Sequence, residues 1–137
     1  MPWFTFRPIE DDSDEMIPAT MRRVIIAGDR NWNDHELYQK LLLLMLQMPN
    51  DVEILHGDCR GVDRAAGQIA QHLGFQVRAF PADFSQGKWA GPARNKAMLD
   101  EGVQAVYLFH KNIFESRGTA DMKRQAETRG IPTVLIE

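Results

Sequence analysis

Short apolar runs alternate along this chain with longer segments in which apolar residues recur every three or four positions. The runs are rich in Val, Ile, Leu and Phe, which is typical of strands buried in a parallel sheet. They predict five strands, at residues 22–27, 52–56, 75–80, 103–109 and 133–136. Strands that alternate with helices predict an α/β fold of the Rossmann-like type, a three-layer sandwich in which helices cover both faces of a mainly parallel five-stranded sheet.

Capping and breaking residues set the ends of four predicted helices. Asn33 or Asp34 is suited to cap the first helix, and a glycine follows each of the other three. The predicted helices span residues 34–48, 62–73, 92–101 and 119–129. Right-handed crossovers and the usual strand order place strand one in the centre, between strands two and four. The loops after strands one, two and four should then meet in one crevice, where open α/β sheets bind ligands.

The first 20 residues show no sustained periodicity and contain an acidic stretch with prolines. They predict an N-terminal extension, followed by one domain at residues 21–137. Two interpretations of the extension are open. It is either a loosely ordered tail or a segment whose aromatic residues, Trp3, Phe4 and Phe6, dock on this subunit or a neighbouring one.

Charge and cysteine content narrow the class of partner. Residues 1–20 hold one basic and five acidic residues, so the chain's net charge of −3 leaves +1 for residues 21–137. A nearly neutral domain disfavours nucleic acid as a partner. The single cysteine, Cys59, rules out an intramolecular disulfide, and no pair of Cys or His has zinc-ligand spacing. The longest apolar run, residues 41–46, is far shorter than the roughly 20 residues of a membrane span. We therefore expect a cytoplasmic protein without a metal, a cofactor or a membrane partner.

Two segments that follow the first two predicted strands carry candidate chemistry. Gly28, Asp29 and Arg30 follow strand one, either as a solvated turn or as residues that project charge over the crevice. The sequence HGDCRGVDRAA follows strand two, and backbone amides freed by its glycines at the start of a helix favour an anion. The alternative for Asp63 in this segment is an interaction with the helix dipole.

Two further segments follow strands three and four. Residues 81–98, PADFSQGKWAGPARNKAM, combine an aromatic residue, a lysine and two glycines in a long connection, as binding loops often do. Within this segment Arg94 is suited to a bidentate contact with phosphate or carboxylate. The sequence SRGTADM follows strand four, where Gly118 and Thr119 open a helix whose N-terminus is suited to phosphate, and Asp121 comes two residues later.

Taken in order, these segments resemble the SLOG superfamily, and in particular its small bacterial and phage branch of YspA-like proteins, which is related to cytoplasmic YpsA. The long motifs GKxAGPxRNxxM and SRGTxDM carry most of the resemblance, which covers about residues 21–137. The resemblance implies a Rossmann-like fold that binds a nucleotide or a nucleotide-derived ligand. The predicted role is that of a sensor or a processing protein.

Enzymes of the same superfamily, the LOG proteins, imply a second function. They hydrolyse the N-glycosidic bond of nucleoside 5′-monophosphates and release the base and ribose 5-phosphate. Arg94 matches their arginine, the Gly118-Thr119 pair matches their phosphate grip, and Asp121 is comparable to their catalytic glutamate. Two departures, Ser116-Arg117 in place of a glycine pair and Asp in place of Glu, make hydrolysis the alternative to binding alone. A weaker alternative, implied by the DprA relatives, is the binding of single-stranded DNA.

The four segments and the resemblance together give a set of candidate site residues. Arg94 and Asp121 are the candidate catalytic residues. The candidate residues for binding the ligand and its phosphate are Gly28, Arg30, His56, Gly57, Gly61, Asp63, Lys88, Gly91, Asn95, Ser116, Arg117, Gly118 and Thr119.

The first predicted helix has more apolar surface than the core needs. Its Leu37, Leu41, Leu44 and Met48 recur at the spacing of one buried stripe. Four more apolar residues spread around the rest of the helix: Leu42, Leu43, Met45 and Leu46. Because an exposed apolar patch of this size marks a contact surface, the sequence predicts a homodimer or a higher homo-oligomer through this helix. The alternative is that the N-terminal aromatic residues of the same chain cover the patch.

Overall fold

The computed structural model describes residues 21–137, which form one sheet with helices on both faces. The strands are β1 (Arg23–Gly28), β2 (Glu53–His56), β3 (Gln76–Ala79), β4 (Ala105–Phe109) and β5 (Thr133–Ile136). The helices are α1 (His35–Met45), α2 (Val62–His72), α3 (Ala90–Asp100) and α4 (Gly118–Thr128). Single 3-10 turns at Phe84–Gln86 and Ile113–Glu115 precede α3 and α4.

The strand order is β3-β2-β1-β4-β5, and every pairing is parallel. This arrangement confirms the predicted α/β, Rossmann-like class and the central position of β1. The chain builds the sheet outward from β1 to β3, and then returns to the other side of β1 to add β4 and β5. The order therefore reverses between β1 and β4, which leaves a crevice beyond the carboxyl ends of these two strands.

Alternating side chains of the strands form two separate cores. In β1, Val24 and Ile26 face the layer of α1 and α2, whereas Ile25 and Ala27 face the layer of α3 and α4. Strand β4 is buried along its whole length. Strands β3 and β5 are largely half-buried or exposed, because each lies at an edge of the sheet, so the expectation that all five strands are buried is wrong for these two.

Helix α1 is shorter than predicted but keeps the predicted stripe. Its helical geometry ends at Met45 rather than near Met48, and Asp34 caps its start by accepting a hydrogen bond from the Leu37 amide at 2.9 Å. The four predicted core residues are buried. Met45 is buried as well, at 1% exposure, so its assignment to the outer surface was wrong. The core-facing stripe is one residue wider than the spacing alone indicates.

Leu42, Leu43 and Leu46 remain on the outer face of α1, with exposures of 40%, 42% and 63%.

Helix α3 begins at Ala90, two residues before the predicted start, because Pro92 is tolerated in a first helical turn. The predicted N-terminal extension lies outside the described residues. Among residues 21–137, no helix combines the length and the apolar character that a membrane crossing requires.

Candidate functional site

A cleft of about 530 Å³ lies beyond the carboxyl ends of β1 and β4, in the size range of small-molecule sites. The loops after these two strands and the starts of α3 and α4 enclose it. Most of the predicted site residues line this cleft. Those that line it are Gly28, Arg30, Asp63, Lys88, Gly91, Arg94, Asn95, Ser116, Arg117, Gly118, Thr119 and Asp121.

Two helices begin at the cleft. Trp89 and Arg117 are the residues that precede α3 and α4, and neither caps its helix with a side chain. Because the first amides of a helix carry partial positive charge, both helix starts favour an anion in the cleft. Ser116 partly substitutes for a cap, since its hydroxyl accepts a hydrogen bond from the Thr119 amide at 3.0 Å.

Three cationic side chains at the cleft have no partner within residues 21–137: Arg30, Lys88 and Arg117. All three are exposed. Cations elsewhere on the surface are mostly paired, for example Lys96 with Asp100 at 2.8 Å and Lys123 with Glu127 at 2.9 Å. These three cations are thus free of ion pairs, while the cleft lining as a whole is formally neutral because it also contains four carboxylates: Asp29, Asp63, Glu115 and Asp121.

Asp63 is the anion that the glycine amides bind. One carboxylate oxygen accepts from the Gly28 amide at 3.2 Å, and the other accepts from the Gly57 amide at 2.9 Å. The sequence interpretation assigned the Gly57 amide to a ligand, and this assignment was wrong because the Asp63 side chain, from the first turn of α2, already accepts from it. Asp63 thereby ties the loop after β1 to the loop after β2.

Burial dominates the electrostatics of this carboxyl group. Only 3% of Asp63 is exposed, and desolvation raises its pKa to about 6. The Arg94 guanidinium and the two glycine amides oppose this shift by favouring the ionised form. A buried, hydrogen-bonded carboxylate of this kind positions the loops rather than contacting phosphate.

Arg94 lies in the cleft wall but is engaged by the protein. Its Nη1 donates to the carbonyl oxygens of Gly57 at 2.5 Å and Phe80 at 3.4 Å, and its Nε donates to Asn95 Oδ1 at 2.9 Å. The guanidinium thus links α3 to the ends of β2 and β3. A Cβ on Gly57 would overlap Arg94, so glycine is required there for this approach.

Three predicted ligand residues do not line the cleft. His56 is buried against Gly67 of α2, and its Nδ1 accepts from the Asp58 amide at 3.0 Å. Burial lowers the pKa of His56. Gly57 and Gly61 serve the backbone instead, since Gly61 has a φ of +77° and a Cβ on it would overlap the Asp29 and Arg30 carbonyls. These three residues therefore support the conformation of the loops from positions outside the cleft lining.

Asp121 is a fixed carboxylate between α3 and α4. Its Oδ2 accepts from Asn95 at 3.0 Å and from Gln125 at 2.7 Å, and its Oδ1 accepts from Arg124 at 2.7 Å. Asn95 also donates to the Gly118 carbonyl at 3.2 Å. The predicted pair of Arg94 and Asp121 therefore lies in one cleft, and Asn95 forms a hydrogen bond with each of them. The polar atoms of both side chains are engaged by neighbouring residues.

Several residues of the cleft were not predicted from the sequence. His110 directly follows β4 and is 7% exposed, and it faces Asp29 with 4.0 Å between His110 Nε2 and Asp29 Oδ2. Phe84 also lines the cleft and is exposed. The position of His110 at the end of a central strand was a usable signal, but no glycine marks it.

Within residues 21–137, no cluster of three or more His, Cys, Asp and Glu is placed to hold a metal ion.

Fold and cleft together define a Rossmann-like domain with a cleft at the switch point of its sheet. The profile of YAcAr, the YspA, cpYpsA-related SLOG family, matches residues 22–87. Gene 61 protein of Mycobacterium phage D29 is 33% identical over 121 residues, which is 83% of this chain and 95% of that protein. The chain belongs to the YspA, cpYpsA-related SLOG family, which associates it with nucleotide-related or nucleic-acid-related function.

A solved structure shares the fold. DNA processing protein A (DprA) from Streptococcus pneumoniae matches 84% of this chain with a TM-score of 0.69 and 16% sequence identity. The match covers 50% of the DprA chain, so this chain spans about half the length of that protein. At this identity the comparison shows a common fold.

Asp63 makes a pH-dependent contribution to stability that can be measured. Its pKa is about 6 in the folded chain, against the ordinary value of 3.8, so the folded state holds the proton more tightly than the unfolded state. The contribution is fully present below pH ~4 and is lost as the pH rises to ~6, by about 3 kcal/mol. Urea unfolding of wild type and Asp63→Asn between these pH values should show this loss in the free energy of unfolding only in wild type.

The Asn variant should also lose stability at every pH, because its amide nitrogen cannot accept from a backbone amide. Asp51→Asn, an exposed aspartate in the turn before β2, serves as the control and should keep the wild-type pH dependence. The same pH dependence in wild type and Asp63→Asn would contradict the assignment.

Proposed function

We propose that this chain binds a nucleotide or a nucleotide-derived molecule in the cleft beyond β1 and β4, as a sensor or a processing protein. The observation that carries the proposal is the set of three cationic side chains, Arg30, Lys88 and Arg117, that have no partner within residues 21–137. Cations that the fold does not use are available to an anionic ligand. Membership of the SLOG family supports a ligand of the nucleotide class.

The elements of the cleft match the parts of a nucleotide. Arg117 precedes the start of α4, where the Ser116 hydroxyl engages only the Thr119 amide. This combination suits a phosphate group because a guanidinium and the remaining helix amides both donate to its oxygens. The exposed ring of Phe84 offers an apolar surface on which a base can stack. Binding alone needs no free catalytic group, which agrees with the engagement of Arg94 by backbone carbonyls.

Replacement of Arg117 tests the proposal. Arg117→Gln should weaken the binding of nucleoside 5′-monophosphates by ~10-fold or more, because a charge-assisted hydrogen bond to phosphate is lost. Isothermal titration calorimetry measures the change. The control is Arg22→Gln, which removes an exposed arginine at the opposite end of β1 and should leave the affinity unchanged. Equal affinity of Arg117→Gln and wild type would argue against phosphate binding at this helix start.

Hydrolysis of a nucleoside 5′-monophosphate is the second candidate function. Asp121 favours it, since a buried carboxylate in the cleft wall can stabilise positive charge that develops on a ribose ring. Chromatography should detect free base only if wild type turns the nucleotide over, and Asp121→Asn should then lose the rate and keep the binding. A panel of nucleotides that bind without releasing base would assign the chain to sensing.

Nucleic acid is the third candidate ligand. The name of DNA processing protein A says that this neighbour acts on DNA. Two exposed aromatic residues near the start of α3, Phe84 and Trp89, accompany the unpaired Lys88, which is the combination that single strands require. Competition between a single-stranded oligonucleotide and a nucleoside monophosphate for wild type separates the two ligand classes.

We also propose that two copies of the chain associate through α1. Its outer face presents Leu42, Leu43 and Leu46 to solvent, and a second copy of the same helix can cover them by two-fold symmetry. Light scattering should report twice the 15.7 kDa mass of one chain. Leu42→Glu combined with Leu46→Glu should give the single-chain mass, because four charges would meet at the interface.

A charge-matched control distinguishes this interface from a general charge effect. Gln68→Glu with Gln71→Glu adds the same two charges to exposed positions of α2 and should leave the dimer intact. A wild-type mass of 15.7 kDa at micromolar concentration would rule out the dimer.

A further inference from the structure

Asp29 and His110 occupy the floor of the cleft, each directly after one of the two strands that flank the switch point. The Asp29 amide donates to the Phe109 carbonyl at 3.0 Å, and the His110 amide donates to the Ile136 carbonyl at 2.9 Å. Both backbones are therefore held by the sheet. Their side chains meet in the cleft, and neither of the functions proposed above uses them.

The hydrogen bonding of His110 determines where its proton lies. Nδ1 accepts from the Asn112 amide at 2.9 Å, and a backbone amide can only donate. The proton of the neutral ring is therefore on Nε2. The residue is 7% exposed, and within residues 21–137 Nε2 makes no hydrogen bond. An N–H donor is thus aimed into the cleft without an acceptor.

Asp29 supplies the complementary acceptor. Its Oδ1 accepts from the Asn31 amide at 2.8 Å, which fixes the carboxylate and leaves Oδ2 without a donor among the described residues. The distance from Asp29 Oδ2 to His110 Nε2 is 4.0 Å. This is too long for a direct hydrogen bond.

A single hydroxyl group fits between the two atoms. An oxygen at about 2.9 Å from the nitrogen and about 2.7 Å from the carboxylate oxygen, the ordinary lengths of these bonds, joins them at an angle of about 90°. A hydroxyl both accepts and donates, so it satisfies Nε2 and Oδ2 together. A phosphate oxygen does not, because it brings negative charge to the Asp29 carboxylate and carries no proton to donate.

We propose that Asp29 and His110 form a hydroxyl-recognition subsite that binds a ribose hydroxyl of the ligand. The inference rests on the proposed function, since it names the sugar of the nucleotide bound in the same cleft. A site built to hydrogen-bond a hydroxyl discriminates against the analogue that lacks it, because the bound analogue shields the donor and the acceptor from water and leaves both unpaired. The subsite therefore selects ribonucleotides over a deoxy form.

Calorimetry with three sugar forms of each nucleotide tests the inference. The probes are the 5′-monophosphates of adenosine, guanosine, cytidine and uridine, with their 2′-deoxy and 3′-deoxy counterparts. For a nucleotide that binds wild type, one deoxy form should bind at least ~10-fold more weakly than the ribose form. Two forms are needed because the geometry of the pair does not distinguish the two hydroxyls.

Asp29→Asn should bring the affinity ratio of the ribose and deoxy forms close to one. The Asn side chain keeps the acceptor for the Asn31 amide but removes the charged acceptor for the hydroxyl. The control Asp51→Asn removes the same charge at the other end of the sheet and should keep the wild-type ratio. His110→Phe should also bring the affinity ratio of the ribose and deoxy forms close to one. Retained nucleotide binding by this variant shows that it is folded.

Two results would overturn the subsite and leave nucleotide binding in place. The first is equal binding of the ribose form and both deoxy forms by wild type. The second is a ratio in Asp29→Asn that equals the wild-type ratio. Absence of binding by wild type to every nucleotide would instead overturn the proposed function, and the subsite with it.

Discussion

The contact on which the cleft depends is the pair of hydrogen bonds from the Gly28 and Gly57 amides to the Asp63 carboxylate. Sheet pairing joins β1 and β2 only as far as Ile25 and Leu55, and beyond that point the ends of the two strands and their loops need another link. Asp63 supplies it from the first turn of α2. Arg94 then approaches the same loops from α3, so helices from both layers of the sandwich are fixed to one turn.

This arrangement separates the charges of the molecule into two groups. Asp63, Arg94 and Asp121 are internal or partly internal, and hydrogen bonds to backbone and amide groups satisfy them. Arg30 and Lys88 lie at the rim of the cleft, and their side chains form no hydrogen bond or ion pair within residues 21–137. A buried charge that lost its partner would destabilise the protein, whereas a rim charge is free to interact with whatever enters the cleft.

The fold could be predicted from the sequence almost entirely, because period and capping are local properties. The burial of β1 and the Asp34 cap of α1 follow from short stretches of residues. The meeting of the loops at one cleft also followed, since parallel strands bring their carboxyl ends to the same edge. The hydrogen-bond acceptor of the glycine amides could not be predicted. The spacing of Gly57 and Asp63 in the sequence is the same whether a ligand or the Asp63 side chain accepts from these amides. His110 was missed for a similar reason, as its tautomer depends on the Asn112 amide, which only the folded loop brings close.

The unpaired cations at the rim have an evolutionary consequence. A substitution at Arg30, Lys88 or Arg117 changes the electrostatic field of the cleft without removing any contact that holds the fold together. Under the proposed function, recognition and folding are therefore encoded by different residues of the same site. If the cleft binds a ligand as proposed, single substitutions at the rim would change its ligand preference, while the buried Asp63 and Arg94 keep the scaffold constant.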